Sequence, residues 1–306
     1  MSIFSFFNRK PRIDRPKVIM TLLVRDEVDI IEQHLLYHAG MDIDGFIVTD
    51  NRSVDGTRDI LEKYRKNGLI LELIDEPSAN YNQAAWVHRM IELARDKYGA
   101  DYCINSDADE FWYTRNRSLR NELAASRFNR IDCPSYMMLP TSGGEFWTAT
   151  DCVRRRAPKK FGLSGNNNFL FGKPTQKVIH RTQGYLMIKM GNHGVEMIDD
   201  VHEISRTIWI YHYSIRGKEQ FKRKILQGGA AIEANKASSR KEASHWRYFY
   251  RGHDEGLIDL DQEYYRVIGM DKLTELRRAG CVVTDTTMKD IFSESRGFLP
   301  IHQPDL

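Results

Sequence analysis

The chain has 306 residues, of which 41% are hydrophobic and 28% charged, with 45 Lys and Arg against 42 Asp and Glu and a formal net charge of +3. That is the composition of an ordinary globular protein with room for a sizeable core, and the small net charge gives no case for nucleic acid as a partner. Four scattered cysteines (Cys103, Cys133, Cys152, Cys281) have no metal or redox spacing and read as free thiols in a reducing compartment, and no apolar run approaches the roughly 18 residues of a membrane span.

The chain opens with "MSIFSFFNRKPR", a brief apolar patch followed by Arg9, Lys10 and Arg12. The basic residues follow the apolar ones, the wrong order for a signal peptide. A frayed terminus is the plainer expectation, with weak peripheral contact to an anionic membrane surface as the alternative. The expected location is therefore the cytoplasm, with at most a peripheral membrane contact.

After Pro16, strand and helix signals alternate. "KVIMTLLV" is a continuous apolar run of strand length, the kind buried on both faces of a parallel sheet. Asp26 is placed to cap a helix whose inner face is Val28, Ile31 and Leu35. "DGFIVTD" predicts a second strand ending at Asp50. Asp55 opens a helix through Ile60, Leu61 and Tyr64, which Asn67-Gly68 stops. "LILELI" is a third strand, and a long helix follows with Ala84, Val87, Ile91, Ala94 and Tyr98 on one side. A fourth strand, Tyr102 to Asn105, runs into "SDADEFWYT". Beyond Ile131, "IDCPSYMMLP" and "RTIWIYHYSI" read as strands separated by irregular Gly- and Asn-rich chain. From Arg216 to about Gly280 the pattern is helical and basic.

Strand-helix alternation with right-handed crossovers predicts an α/β fold: a mostly parallel sheet flanked by helices. In such sheets ligands bind beyond the carboxyl ends of the strands, where Arg25, the Asp50-Asn51 pair and the Asp107–Asp109 segment should meet. Asp107 and Asp109 are two apart, and in extended chain they would face the same way. A divalent cation would offset their repulsion. Mn²⁺ or Mg²⁺ takes one or two carboxylates and completes its shell with water and phosphate oxygens, whereas zinc would want His and Cys, absent from this stretch. As an alternative, Asp-Ala-Asp is simply a polar turn.

Two look-alikes are excluded on chemistry. From Asn51 to Glu62 the spacing imitates a calcium loop, but a strand precedes it and Arg58 stands where that loop needs an apolar residue. His202-Glu203 begins a zinc-protease pattern, but Arg206 stands where the second histidine belongs. No Walker loop, dinucleotide-binding glycine pattern or nucleophile elbow is present. Metal-assisted phosphate binding is left as the main device.

Three blocks, "LLVRDEVDIIEQHLLYHAGMD", "FIVTDNRSVDGTRDIL" and "INSDADEFW", resemble the opening blocks of family-2-type glycosyltransferases of the GT-A fold. Within that group the chain is most similar to the branch with an R-[ND]-E start and a D-x-D-E-F block, and "IYHYSIRGKEQFKRK" resembles that branch's late segment. The resemblance covers about Lys17 to Gly228. It implies a GT-A domain over residues 16–215, after a flexible segment at 1–15 and before a mainly helical extension at 216–306.

The resemblance further implies that Asp50 contacts the base of a nucleotide-sugar donor, usually uracil. Arg25 and Glu27 would line the nucleotide pocket together with Asn51. Asp107 and Asp109 would hold the metal on the donor diphosphate, with His212 as a further ligand or a diphosphate contact. Lys224 is placed to reach phosphate. The acceptor would be a glycan or another hydroxyl-bearing molecule, and transfer would proceed with inversion. Glu145 and Asp200, which fall between the acidic block and His212, are the candidates for general base. Two alternatives are a sugar-nucleotide nucleotidyltransferase, which should carry a Gly-rich loop near the first strand, and a non-catalytic carbohydrate-binding or scaffold protein.

Overall fold

The computed structural model describes residues 11–78, 82–141, 143–163, 170–234 and 244–294. The first half runs β1 (Val18–Val24), α1 (Ile31–Ala39), β2 (Gly45–Asp50), α2 (Thr57–Lys66), β3 (Ile70–Asp75), α3 (Gln83–Asp96), β4 (Tyr102–Asp107) and β5 (Glu110–Thr114). After α4 (Leu119–Ala125) come β6 (Arg130–Met138), β7 (Asp151–Val153), β8 (Gln176–Arg181), β9 (Tyr185–Ile188), β10 (Val195–Met197), β11 (His202–Ile204) and β12 (Ile208–His212). The chain continues through α5 (Lys218–Ala234), α6 (Ser244–Asp254), α7 (Leu260–Val267), α8 (Leu273–Arg278), β13 (Val282–Thr284) and α9 (Thr287–Glu294).

This is the α/β class that the alternation predicts. The main sheet has the order β13-β7-β6-β8-β4-β1-β2-β3, parallel from β4 through β3 and turning antiparallel at β8. β1 is buried on both faces because its side chains feed two cores: Val18, Met20 and Leu22 pack into one, and Ile19 into the other against Val87, Met90 and Ile91 of α3. Register levels the strand ends, with Val24 beside Asp50 and Leu23 beside Asp107.

Several local expectations are corrected. Asp26 does not cap α1, which starts five residues later. It has a positive φ of 53°, and its Oδ1 accepts a hydrogen bond from Val54 N (2.8 Å), so it clamps the loop after β2 instead. Val28, expected on an inner face, is therefore exposed. β8, β9 and β10 lie where an irregular chain was expected. The segment after Arg216 is helical as predicted, yet it is tied to the rest: β13 pairs with β7, and Phe292 of α9 packs against Tyr37 and Phe111. At the other end, Pro11 O accepts from Arg181 Nη2 and Ile13 packs on the core, while residues 1–10, including the patch considered for membrane contact, lie outside the described residues. No described helix is long and apolar enough to cross a membrane.

Candidate functional site

The acidic turn is built by its neighbours. Asp107 ends β4, Ala108 and Asp109 form a turn, and Glu110 starts β5, so the two aspartates are displayed by a corner rather than by extended chain. The fully buried Glu110 accepts a hydrogen bond from Asp107 N at 3.2 Å, and Trp112 Nε1 donates to Ser106 Oγ at 2.9 Å. Below the turn, Trp112 N donates to His38 Nε2 at 3.0 Å. β5 pairs antiparallel with β12 in the register Glu110↔His212, and Tyr213 N donates to Asp109 O at 2.8 Å. That pairing is what brings His212, more than a hundred positions away in sequence, beside Asp109.

Cations meet these acids one by one. Lys177 of β8, 3% exposed, places Nζ 2.7 Å from both Asp107 Oδ2 and Glu110 Oε1. Lys224 of α5 places Nζ 2.6 Å from Asp109 Oδ2, and His212 Nε2 lies 3.2 Å from Asp109 Oδ1. Arg216 joins Glu27 Oε2 at 2.6 Å and Asp29 Oδ2 at 2.7 Å. The electrostatics follow. Burial alone would raise the proton affinity of Asp109, but Lys224, His212 and Arg216 outweigh it and hold this carboxyl well below the usual range. For Glu27 and Glu110 burial wins, and both are raised despite Arg216 and Lys177 respectively. Burial would lower the Lys177 ammonium, but Asp107 and Glu110 raise it.

Lys177 and Arg216 line, with their neighbours, one cavity of about 660 Å³ beyond the ends of β1 and β4. Of the residues singled out in the sequence, Arg25, Glu27, Asn51, Asp107, Asp109, His212 and Lys224 all line it. Asp50 is not among the lining residues. Its Oδ1 accepts from Ser53 N (3.1 Å) and Ser53 Oγ (2.6 Å), and Arg58 Nη1 lies 3.5 Å from its Oδ2. Asn51 donates to the carbonyls of Glu76 and Ser78, fixing the wall next to it. Glu145 and Asp200 do not line the cavity either. Glu145 is an exposed residue ahead of a short helical turn, and Asp200 pairs with Arg130 and lies 3.6 Å from His202.

Lys177, Gln83 and Trp246 carry no signal in the sequence, and His193 reads there as a polar loop residue; all four line the cavity. Lys177 sits in a short strand with no pattern to mark it. Arg216 and Arg223 stood in the basic run but were not singled out. Lys218 and Lys222, four apart on one face of α5, both reach Asp261.

The donor set suits a shared divalent ion. Adjacent ligands of an octahedral ion bound at ~2.1 Å lie about 3 Å apart, and Asp109 Oδ1 and His212 Nε2 are 3.2 Å apart. Among the described residues no three His, Cys, Asp or Glu side chains form a ready cage. An ion here would need oxygens from water or a ligand to complete its shell, as Mg²⁺ and Mn²⁺ commonly do.

No family model and no curated protein matches the chain. Solved structures similar in fold include S. aureus TarS 1-349 in complex with UDP, 12% identical, covering 86% of this chain and 92% of that one with a TM-score of 0.40. The mannosyltransferase PcManGT from Pyrobaculum calidifontis, in complex with GDP-Man and Mn²⁺, is 12% identical over 97% of this chain and 88% of that one, TM-score 0.37. Glucosyl-3-phosphoglycerate synthase from Mycobacterium tuberculosis, with Mn²⁺, UDP-Glc and phosphoglyceric acid, is 13% identical over 73% and 81%, TM-score 0.37. Against the longer S. aureus TarS structure, the chain spans 43% of that protein's length. The likeness is a distant one to glycosyltransferase structures and carries no donor, acceptor or activity across.

Proposed function

We propose that this protein is a metal-dependent glycosyltransferase of GT-A type, moving a sugar from a nucleoside-diphosphate donor, a UDP-sugar, to an acceptor hydroxyl with inversion. The observation that carries the proposal is the joining, in one cavity at the sheet's carboxyl edge, of Asp107, Asp109 and His212 with Lys177, Arg216 and Lys224. The donor and the stereochemistry come from the resemblance of the sequence blocks.

In this reading Asp107, Asp109 and His212 hold Mn²⁺ or Mg²⁺, which when bound supplies Lewis-acid stabilisation of charge on the diphosphate. The bond between the sugar's anomeric carbon and phosphate oxygen breaks, and the acceptor oxygen, giving up its proton to a carboxylate base or to solvent water, bonds that carbon from the opposite side. The diphosphate leaves with added negative charge, which the Lys224 ammonium is placed to stabilise. Arg25, Glu27 and Asn51 form the wall nearest the nucleotide, and Asp50 serves the base only if its carboxylate turns away from Ser53. A panel of sugar nucleotides, incubated with Mn²⁺ or with EDTA and read by thermal shift and by release of the nucleoside diphosphate, tests this. Stabilisation and release by at least one donor, only with Mn²⁺, are expected. Equal turnover in EDTA contradicts the proposal.

A further inference from the structure

The cavity continues past the charged cluster along one face of α5. Lys224, Gln227, Gly228 and Ala231, spaced three or four apart, all line it, together with Trp246 of α6. Lys224 marks the inner end, 2.6 Å from Asp109. One helical turn farther out, about 6 Å along the axis, Gly228 leaves room for an indole. A Cβ on Gly228 would stand 2.9 Å from Trp246 Cε3 and 3.0 Å from Cζ3, so the ring lies directly on the helix backbone. The Lys224 ammonium is 5.8 Å from the centre of the same ring.

We propose that Trp246, seated on Gly228 beside Lys224, is the platform for a hexopyranose ring of the acceptor, so that the acceptor is a glycan. This rests on the glycosyl-transfer reading above and narrows it. A sugar ring has one face of C–H groups that stacks on an aromatic surface and an edge of hydroxyls that needs polar partners. The indole supplies the flat apolar surface, and Gln227 supplies an amide able both to donate and to accept. The position also suits the reaction. A ring on Trp246 lies in the same cavity, one helical turn from the cation that contacts Asp109, within reach of a sugar held on a diphosphate there.

The test compares wild type, Trp246→Phe and Trp246→Ala. Binding of methyl hexopyranosides and of the disaccharides cellobiose, maltose and lactose is measured by saturation-transfer NMR. UDP and UDP-glucose are titrated separately with Mn²⁺ on the same three proteins, and the UDP titration reports whether the site is still assembled. Wild type should bind at least one glycan, Trp246→Ala should weaken it about tenfold or more, and Trp246→Phe should keep most of the affinity because a ring remains. Glycan binding unchanged in Trp246→Ala, or undetectable in wild type, overturns the platform. A loss of UDP-glucose affinity in Trp246→Ala with UDP affinity intact places the donor's sugar on the indole and overturns the acceptor assignment. Failure of wild type to bind any nucleotide instead strikes the glycosyl-transfer reading, and the glycan arm is then decided on its own result.

Discussion

At the residue scale, Lys177 and Lys224 hold the carboxylates that a divalent ion would share. Asp107 and Glu110 lie side by side with one buried ammonium between them, and Glu110 is fully buried. Removing one partner of a buried ion pair costs roughly 3–5 kcal/mol, because the charge left behind has no solvent. Lys177→Met should therefore lower stability by about 3 kcal/mol in chemical denaturation, and millimolar Mn²⁺ should restore part of it by taking the place of the ammonium. A variant as stable as wild type, or one indifferent to Mn²⁺, would show that the lysine does not balance these acids. Asp107, Asp109, His212 and Lys224 were legible in the sequence because blocks of residue types mark them. Lys177 was not, since its meaning comes only from the strand pairing that sets β8 beside β4 and β6. Glu145 and Asp200 were chosen by sequence order alone, and order does not fix distance.

At the scale of elements, the two helices that wall the outer cavity meet through a glycine pair. Gly228 lies under Trp246, and a Cβ on Gly229 would stand 2.3 Å from Tyr250 Cβ and 2.5 Å from its Cγ. Alanine in mid-helix is worth about 1 kcal/mol over glycine from propensity alone, but the clash here is with the stem of a tyrosine, which cannot swing aside. Overpacking of this kind costs about 1–3 kcal/mol, so Gly229→Ala should be destabilising on balance by chemical denaturation. A stabilised Gly229→Ala would mean that α6 is not held this close. The sequence showed α2 and α3 through their apolar spacing, but it misplaced the start of α1 because Asp26 adopts a left-handed conformation that no residue pattern announces. β8 was hidden because Lys177, His180 and Arg181 break its apolar run, although all three are buried.

At the scale of the whole molecule, buried histidines set the response to acid. Burial lowers His34 to about 3 and His180 to about 4, and holds His38 well below its ordinary value. An unfolded histidine takes up a proton near pH ~6.5, while these folded ones resist until far lower. Their contribution is thus complete above about pH 6.5 and is lost as pH falls toward 4. Glu27 and Glu110 work in the opposite sense, since a raised carboxyl favours the folded state at low pH and loses that effect as pH rises through its folded value. Unfolding free energy measured by denaturant should fall steadily from pH 7 to pH 4.5, and a flat profile would mean that these imidazoles are not buried neutral. The alternation of apolar strands and amphipathic helices made the parallel half of the sheet legible. In the antiparallel half β6 was legible as a strand, but β7, β8, β13 and the pairing that joins them depend on long-range contacts and were not.

If the acidic turn and His212 bind a nucleotide's diphosphate through a shared divalent ion, calorimetric titration of UDP should show it. Wild type should bind UDP with Mn²⁺ and lose binding in EDTA, and Asp109→Asn should behave in Mn²⁺ as wild type does in EDTA. UDP affinity that is equal with and without Mn²⁺, or unchanged in Asp109→Asn, would contradict the account.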